Sequence, residues 1–451
     1  MRTADQQGAL ATVLAEPALS SAGYRRRWAV EWVRERFWVI PAVLLVLGPA
    51  LAVATAGGSG FWGSWGGLPA DASWASGFLE NIAAATLTFL GVVFTLTLVA
   101  LQLASSQLSP RVIRTFVRSP ITRVAFGTLL AAFSFAVTAL VISHGHAGPA
   151  ASRSVIVAAV LVALSLVVFL RYVAAMMELL QVVDVIAAVA RETRGAVAAS
   201  WLPSPAAVAV ARPPRSASPA LIRRPLGRPG GRAASGRVLG VDHARLAELA
   251  RRHDCVIELT ARMGEFVPAG GVFAAVHSAG PAAQPTRPVL PVLPRDVGAA
   301  VNFGRGRTLY QDPAFGLRQL ADIAAQALSP AVNQPTTAVL VIDSLEDILL
   351  QIARSPRLSG CFTARDQQVR LIIPLPDWED CLDLAFTELT VYGAGSPQVA
   401  RRLLAAYATL EEAAAPDRRA PVAARREELT RQLATEGGIQ QALRPDPMGL
   451  G

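Results

Sequence analysis

Four apolar stretches lie within the first 176 residues of the chain, and each is long enough to cross a lipid bilayer. A transmembrane helix needs about 20 mostly apolar residues to cross about 30 Å of hydrocarbon. No acidic or basic residue falls in the middle of any stretch, which argues against a proton relay or an ion-coupled transporter. The sequence therefore predicts an α-helical membrane domain with four transmembrane helices, at residues 37–56, 83–103, 124–143 and 154–176.

Arginine residues beside these stretches predict their orientation. Six arginines precede the first stretch, whereas the connection at residues 57–81 contains none and the next connection contains four. Loops rich in Lys and Arg stay on the cytoplasmic side of a membrane. We therefore expect a multi-pass protein of the cell inner (plasma) membrane with both termini in the cytoplasm.

A cleaved signal peptide is an alternative interpretation of the first stretch. Ala52, Val53 and Ala54 resemble a small-residue cleavage site behind a basic region. The stretch is longer than the roughly 7 to 15 apolar residues of a signal peptide, which favours a transmembrane helix. Cleavage would leave three spans and the same C-terminal domain.

Charge and cysteine content exclude several kinds of chemistry. All 42 basic residues are arginine, so the chain has no lysine for a Schiff base or a Walker motif. Most of the net charge of +9 lies in the expected cytoplasmic loops and the linker, where anionic lipid rather than nucleic acid is the expected partner. Cys255, Cys361 and Cys381 lack metal-type spacing and are expected to be free buried thiols in a reducing compartment.

The composition divides the chain into four segments. Residues 1–36 form a cytoplasmic N-terminal segment, and residues 37–200 hold the four spans with an amphipathic helical extension into the cytoplasm. Residues 201–235 are rich in Pro, Arg, Ser, Ala and Gly and cannot bury a core, so they predict a disordered linker. Residues 236–451 mix strand and helix patterns and predict a cytoplasmic α+β domain.

Apolar periodicity within the C-terminal domain predicts its strands and helices. The expected strands cover residues 237–241, 255–260, 272–277 and 368–374. The expected helices cover residues 242–252, 313–328, 336–354, 377–392, 396–413 and 422–436. Asp312 followed by Pro313 is a favourable helix start, because Asp caps the first turn and Pro fits its first position.

The second span carries a stripe of small and polar residues on one helical face. The members of the stripe are Thr88, Gly91, Thr95, Gln102 and Ser106, and the apolar Val99 interrupts it. Small residues with hydroxyls let membrane helices pack closely, and this is the favoured interpretation. A water-filled path lined by the stripe within a homo-oligomer is the alternative.

Three arginines follow the second span at helical spacing, with apolar residues between them. Arg111, Arg114 and Arg118 predict a short basic amphipathic segment at the inner interface. Such a segment binds the phosphate headgroups of anionic lipids, and packing beneath the C-terminal domain is its alternative role.

The densest run of specific polar residues lies around the predicted helix at residues 313–328. Its members are Arg305, Arg307, Gln311, Asp312, Arg318, Gln319, Asp322 and Asn333. Arg318 and Asp322 are four residues apart and can pair on that helix. A polar network that fixes two helices is the favoured interpretation. A pocket for a small anionic or polar ligand, with Arg305 and Arg307 as donors, is the alternative.

The sequence predicts no catalytic group, metal site or cofactor. The tripeptide at residues 304–306, Gly-Arg-Gly, is too short for a dinucleotide loop and does not follow a clear strand. His144 and His146, in a short external loop, offer two ligands without a carboxylate, which is too few for a metal ion. An enzyme is therefore the least supported class.

Three longer motifs resemble those of one bacterial membrane-protein family. They are FTLTLVALQLASSQLSPR at residues 94–111, QDPAFGLRQLADIA at residues 311–324 and ALSPAVN at residues 327–333. On these motifs the chain is identified, from residue 25 to residue 433, as a member of the family called domain of unknown function 2254. The resemblance implies four N-terminal spans and a cytoplasmic C-terminal domain, and it implies no known activity. Where the family tends to have Asn-Asp-Pro, this chain has Asn333, Gln334 and Pro335, so that turn lacks an acid.

Two kinds of function fit these expectations. The first is an oligomeric gated pore or membrane sensor whose membrane domain is coupled to a cytoplasmic regulatory domain. The alternative is a non-conducting membrane scaffold that binds a cytoplasmic partner or a small anionic ligand.

Overall fold

The computed structural model forms two compact units, one within Ala29–Val185 and the other within Ile186–Gly451. The first is a helical bundle and the second mixes helices and sheets. The residues that the structure describes are 36–57, 72–107, 120–143, 149–179, 181–201, 219–225, 235–278, 293–355, 360–364, 366 and 368–435.

The N-terminal unit is built from four long helices. They are α1 (Val39–Gly57), α2 (Ala72–Gln107), α3 (Pro120–Ser143) and α4 (Pro149–Leu179). Each contains an apolar segment of at least 18 residues, which is long and apolar enough to cross a membrane. The four transmembrane helices expected from the sequence are thereby confirmed. Helix α2 begins at Ala72, within the connection expected at residues 57–81, and its apolar segment covers Ser73–Gln102 rather than residues 83–103.

Glycines allow α1 and α3 to approach closely. A Cβ atom at Gly48 would lie 2.2 Å from the Ser134 Oγ, and that hydroxyl donates to the Leu45 carbonyl at 3.0 Å. A Cβ atom at Gly127 would lie 2.4 Å from a methyl group of Leu44. This pair of helices therefore packs through small residues, as membrane helices commonly do.

A polar contact joins α2 and α4 inside the bundle. The Tyr172 hydroxyl lies 2.7 Å from the Thr97 hydroxyl and 3.2 Å from the Val93 carbonyl, to which it donates. Tyr172 is fully buried. Because a buried hydroxyl without a partner is costly, these bonds compensate for the water that the side chain has lost.

Helix α5 (Val182–Ser200) follows α4 after two residues. The sequence predicted a continuous extension of the fourth span, and the structure has a separate helix instead. Its buried residues recur every three or four positions, which places them on one face. They include Ile186, Val189, Ala190, Thr193, Ala196 and Val197.

The C-terminal domain contains a five-stranded sheet and a three-stranded sheet. The first has the order β1 (Ala220–Arg223), β5 (Val272–Ser278), β3 (Cys255–Leu259), β8 (Val369–Ile372), β7 (Cys361–Thr363). The second has the order β4 (Phe266–Val267), β2 (Gly236–Val241), β6 (Val301–Gly304). Among these strands β3 and β8 pair in parallel, and the other neighbours pair antiparallel.

Strand β1 lies inside the segment that the sequence predicts as a disordered linker, which corrects the extent of that linker. It pairs with β5, and Ile222 is buried in the core of the domain. The short apolar run at residues 220–222 is enough to add an edge strand, although Pro and Arg dominate the segment around it.

Helices cover the sheets and fill the second half of the domain. They are α6 (His243–Arg252), α7 (Leu293–Ala300), α8 (Pro313–Ala327), α9 (Pro335–Ala353), α10 (Trp378–Gly393), α11 (Pro397–Ala413) and α12 (Pro416–Thr435). The α+β class is thus confirmed. The sequence did not predict α7, β6 or β7, and α12 begins six residues earlier than expected. Gly304 is the last residue of β6, so the tripeptide at residues 304–306 begins at the end of a strand, whereas the sequence showed no clear strand before it.

Candidate ligand-binding cleft

A cleft of about 760 Å³ opens in the C-terminal domain. Its walls come from β2, the turn before β4, the start of α8 and α10. Ligand sites commonly enclose about 300 to 1,000 Å³. Its lining combines charged side chains with apolar ones, and the apolar members include Trp201, Met263, Phe266, Leu375 and Leu384.

Asp312 begins α8 and holds one arginine of the cleft. Its carboxylate accepts a hydrogen bond from the Phe315 amide at 3.1 Å, and Pro313 occupies the first helical position, as the sequence predicts. Arg307 donates to both carboxylate oxygens, each at 2.8 Å. Burial raises the pKa of Asp312 above its ordinary value, and the Arg307 guanidinium opposes that shift.

Gly264 brings the turn before β4 against this ion pair. Its φ of +77° lies in the left-handed region that favours glycine. A Cβ atom at this position would lie 2.3 Å from the Arg307 Nε and 2.5 Å from the Asp312 Oδ2. The close approach of the turn to the start of α8 therefore requires a residue without a side chain.

Gln311 ties the start of α8 to β2. Its Oε1 accepts from the Val241 amide at 2.8 Å, and its Nε2 donates to the Val241 carbonyl at 3.2 Å. The two bonds use the backbone amide and the backbone carbonyl of Val241, which a residue of a neighbouring strand would otherwise bond. Gln311 therefore positions α8 beside the smaller sheet.

Two acidic residues of α10 that line the cleft are paired with arginines from elsewhere in the domain. Arg262 donates to Asp380 at 3.0 Å, and Arg425 donates to Asp383 at 2.6 Å. Asp380 also forms a capping box with Asp377 at the start of α10, which fixes this wall of the cleft.

Arg318 connects α8 with α10 inside the cleft. It donates to Asp322 on its own helix at 2.9 Å and to Glu388 on α10. The pairing of Arg318 with Asp322 is the one that their spacing predicts. Glu388 lies 66 residues beyond Asp322 in the chain, so the sequence alone did not identify it as a partner.

Two charged residues of the cleft have no oppositely charged side chain as a partner among the described residues. The Arg237 Nη1 donates to the Gly264 carbonyl at 2.9 Å, and the guanidinium lies 6.0 Å from the centre of the Phe266 ring. The Glu265 Oε2 accepts from the Arg262 amide at 2.8 Å. Both side chains are thus anchored to backbone and retain hydrogen-bonding groups for a ligand.

The described part of the chain contains no cluster of three or more His, Cys, Asp or Glu side chains suited to a metal ion. Burial raises the pKa of Cys255 to about 11 and that of Cys381 to about 12. Thiols with such pKa values are protonated at neutral pH and are poor nucleophiles. The charged and polar side chains that line the cleft can recognise charge and form hydrogen bonds.

The polar residues chosen from the sequence do not all meet in the cleft. Four of them line it, namely Arg307, Gln311, Asp312 and Arg318. Asp322 holds Arg318, and Gln319 is buried within α8.

The predicted donor pair of Arg305 and Arg307 does not form. Arg307 is bound to Asp312, and Arg305 is exposed and is not among the lining residues. Asn333 follows the other end of α8, where it adopts a φ of +46° and its amide donates to the Ser329 carbonyl at 2.9 Å.

The chain matches the family described as "Predicted membrane protein (DUF2254)" over residues 34–409. It belongs to this family. Two curated relatives in the comparison are mycobacterial: "Uncharacterized protein Mb1321c" from Mycobacterium bovis and "Uncharacterized protein Rv1290c" from Mycobacterium tuberculosis. Each is 30% identical over 396 residues, which cover 84% of this chain and 72% of the relative. No solved structure matches the chain.

In this DUF2254 protein, the stripe on α2 faces away from its own bundle. Thr88, Gly91, Thr95 and Gln102 are exposed, and no atom lies within 4 Å of a Cβ atom built at Gly91. The hydroxyls of Thr88 and Thr95 donate to carbonyls one turn earlier, at 3.0 Å and 2.9 Å. Within the part of the chain that the structure describes, these four members of the stripe are therefore not buried by packing inside one copy of the bundle.

Several predicted site residues lie outside the part of the chain that the structure describes. These are the headgroup-binding candidates Arg111, Arg114 and Arg118, the histidines His144 and His146, and the side chain of Ser106.

Six of the nine charged residues that line the cleft were not predicted from the sequence. Three of them, Arg237, Arg262 and Glu265, lie on β2 and in the turn before β4, and the other three, Asp380, Asp383 and Glu388, lie on α10. Both groups are far along the chain from the start of α8. The glycine-bracketed turn at residues 264–271 was the available signal, because glycine supplies the positive φ that many tight turns need.

Proposed function

We propose that this protein is a sensor of the cell inner membrane, in which a ligand bound in a cytoplasmic cleft changes the state of the membrane helices. The observation that carries the proposal is the course of α5. Two residues separate this helix from α4 in the chain, and Trp201, directly after its end, lines the cleft. Along the chain, α5 is therefore the segment that connects the last span with a residue of the cleft.

Contacts of α5 within the C-terminal domain support this role. A Cβ atom at Gly316 of α8 would lie 2.1 Å from the Thr193 Oγ1, so the two helices touch at this point. Arg194 forms an ion pair with Asp347 of α9. Because α8 also supplies Asp312 and Arg318 to the cleft, a ligand that moves the start of α8 would move α5. Closely packed helices transmit such shifts because interiors have little free volume.

The proposed location is the inner membrane, with both termini and the cleft in the cytoplasm. The asymmetric distribution of arginine supports this orientation, and anionic lipid headgroups are the proposed partners of Arg111, Arg114 and Arg118. A green fluorescent protein fused after Gly451 should fluoresce, and alkaline phosphatase at the same position should be inactive. An active phosphatase fusion would show that the C-terminal domain lies outside the cytoplasm, and the cleft could then not bind a cytoplasmic ligand.

Replacement of Trp201 tests the coupling. We expect Trp201→Ala in full-length protein in lipid nanodiscs to speed amide hydrogen exchange along α5 and into the last turns of α4, because the side chain is buried at the junction with the cleft. Tyr392→Ala is the matched control, since Tyr392 is an exposed aromatic residue of α10 that does not line the cleft. Faster exchange confined to the residues around Trp201 would contradict the proposal.

A pore between copies of the bundle is the second candidate, and the outward stripe on α2 is the observation that favours it. An oligomer that buries Thr88, Gly91, Thr95 and Gln102 around an axis would place them along a common path. Release of solute from loaded liposomes, abolished by Thr95→Leu and retained in the control Val99→Leu, would support conduction. A folded oligomer without solute release would instead support the non-conducting sensor or a scaffold.

A further inference from the structure

The charged lining of the cleft is almost completely neutralised by its own ion pairs. Four arginines and five acids line it. Arg262 pairs with Asp380, Arg307 with Asp312 and Arg318 with Glu388, while Asp383 pairs with Arg425 from outside the lining. One cation, Arg237, and one anion, Glu265, remain without an oppositely charged side chain among the residues that the structure describes. A multiply charged anion would meet a cleft with no excess of positive charge, so the electrostatics disfavour it.

Arg237 is oriented to receive a carboxylate. Its Nη1 is held by the Gly264 carbonyl, which leaves the edge formed by Nε and Nη2 available. Two parallel N–H donors on that edge match the two oxygens of a carboxylate. Gly264 is itself fixed by the hydrogen bond from its amide to the Val238 carbonyl at 2.8 Å, so the guanidinium loses little freedom when it binds.

Glu265 lies on the backbone segment bonded to the strand that carries Arg237. Its carbonyl accepts from the Val238 amide at 3.0 Å, and its side chain is anchored through Oε2 to the Arg262 amide. The Oε1 atom is left to accept from a ligand. An ammonium group is a suitable donor, because it has three N–H groups and a positive charge.

We propose that the cleft binds a zwitterionic amino carboxylate with an apolar or aromatic body. Its carboxylate would bind Arg237, its ammonium group would bind Glu265, and its body would contact the apolar wall that includes Trp201, Phe266 and Leu384. A cleft of about 760 Å³ is larger than an ion requires and accommodates such a body. This inference rests on the proposed function, because the same cleft is the sensing site.

Matched probes test the inference on full-length protein in detergent. The apolar and aromatic amino acids are titrated at up to millimolar concentrations by isothermal calorimetry. For each amino acid that binds, analogues lacking one charged group are compared; for phenylalanine these are 3-phenylpropionate, without the ammonium group, and phenethylamine, without the carboxylate. We expect at least one amino acid to bind and each analogue to bind at least about tenfold more weakly, because a lost charge-assisted bond leaves its partner unsatisfied. Inorganic phosphate should not compete.

Three variants complete the test. Arg237→Ala should abolish binding, and Glu265→Gln should weaken the amino acid about tenfold while leaving the binding of its deaminated analogue unchanged. Arg305→Ala is the control, because Arg305 is an exposed arginine of the same domain outside the cleft. This variant should bind the amino acid with the same affinity as wild type. If Arg237→Ala fails to fold, the Glu265→Gln comparison still decides.

Absence of binding by every amino acid tested, equal binding of the deaminated analogue, or unchanged binding in Glu265→Gln would overturn the assignment of the ligand. The coupling through α5 is measured without a ligand in Trp201→Ala. Failure of the ligand assignment and failure of the sensor proposal are therefore distinguishable.

Discussion

Replacement of Gly316 by alanine should separate α5 from α8. A Cβ atom at residue 316 would lie 2.1 Å from the Oγ1 and 2.6 Å from the Cγ2 of Thr193, which is fully buried. Real side chains do not approach so closely, so one helix must shift. Gly195→Ala is the matched control, because Gly195 lies within α5 and no atom approaches its Cβ position within 4 Å.

Two opposing contributions set the expected magnitude. Alanine in place of glycine within a helix stabilises by about 1 kcal/mol, and this contribution applies to both variants. Overpacking typically costs about 1 to 3 kcal/mol, and it applies to Gly316→Ala alone. We therefore expect Gly195→Ala to gain about 1 kcal/mol and Gly316→Ala to fall below it by about 2 kcal/mol. For a domain of this size, 2 kcal/mol corresponds to roughly 4 to 8 °C in melting temperature.

The melting temperature of full-length protein in detergent measures this difference. Thr193→Ala in the Gly316→Ala background should recover part of the loss, because it removes the two closest atoms and leaves a Cβ to Cβ distance of 2.8 Å. If Gly316→Ala raises the melting temperature as much as Gly195→Ala does, the close contact between α5 and α8 is absent and the argument for coupling through it fails.

Three further perturbations have defined outcomes. Gly264→Ala should lower the free energy of unfolding by about 1 to 3 kcal/mol, because φ is +77° and the added Cβ atom would meet Arg307. A melting temperature equal to or above that of wild type would contradict this. Burial lowers the pKa of His243 to about 4, against about 6.5 in an unfolded chain. The domain should therefore lose stability as the pH falls from about 6.5 to about 4 and keep that stability at higher pH. In His243→Gln, the melting temperature should depend less on pH within this range. Tyr172→Phe should cost about 0.6 kcal/mol in the bundle, since it removes the hydroxyl bonded to Thr97, and an unchanged unfolding midpoint in mixed detergent would show that the bond contributes nothing.

Local patterns predicted most of the elements because they depend on residues close in sequence. The four spans follow from apolar length alone. Asp312 and Asp377 both cap helices whose starts the sequence places within a residue. By contrast, β7 has three residues, and a run that short carries no periodic signal.

Long-range pairing could not be predicted in the same way. Arg262 meets Asp380, a residue 118 positions away, and Arg418 donates to the carbonyls of Ile352 and Ser355 at 2.7 Å and 2.9 Å. Nothing in the local sequence distinguishes these arginines from solvated ones. The cleft was missed for the same reason. Arg237 and Glu265 become distinctive once the other charged residues of the lining are seen to form ion pairs, while these two have no oppositely charged partner among the described residues.

The response of α5 to an occupied cleft tests the central claim most directly. Full-length protein in lipid nanodiscs is saturated with the amino carboxylate that binds, and hydrogen exchange is followed by mass spectrometry. We predict that exchange slows in the turn at residues 262–266 and also along α5 into the last turns of α4. Protection confined to the cleft, with α5 and α4 exchanging as in the unliganded protein, would show a binding domain that sends no signal to the membrane.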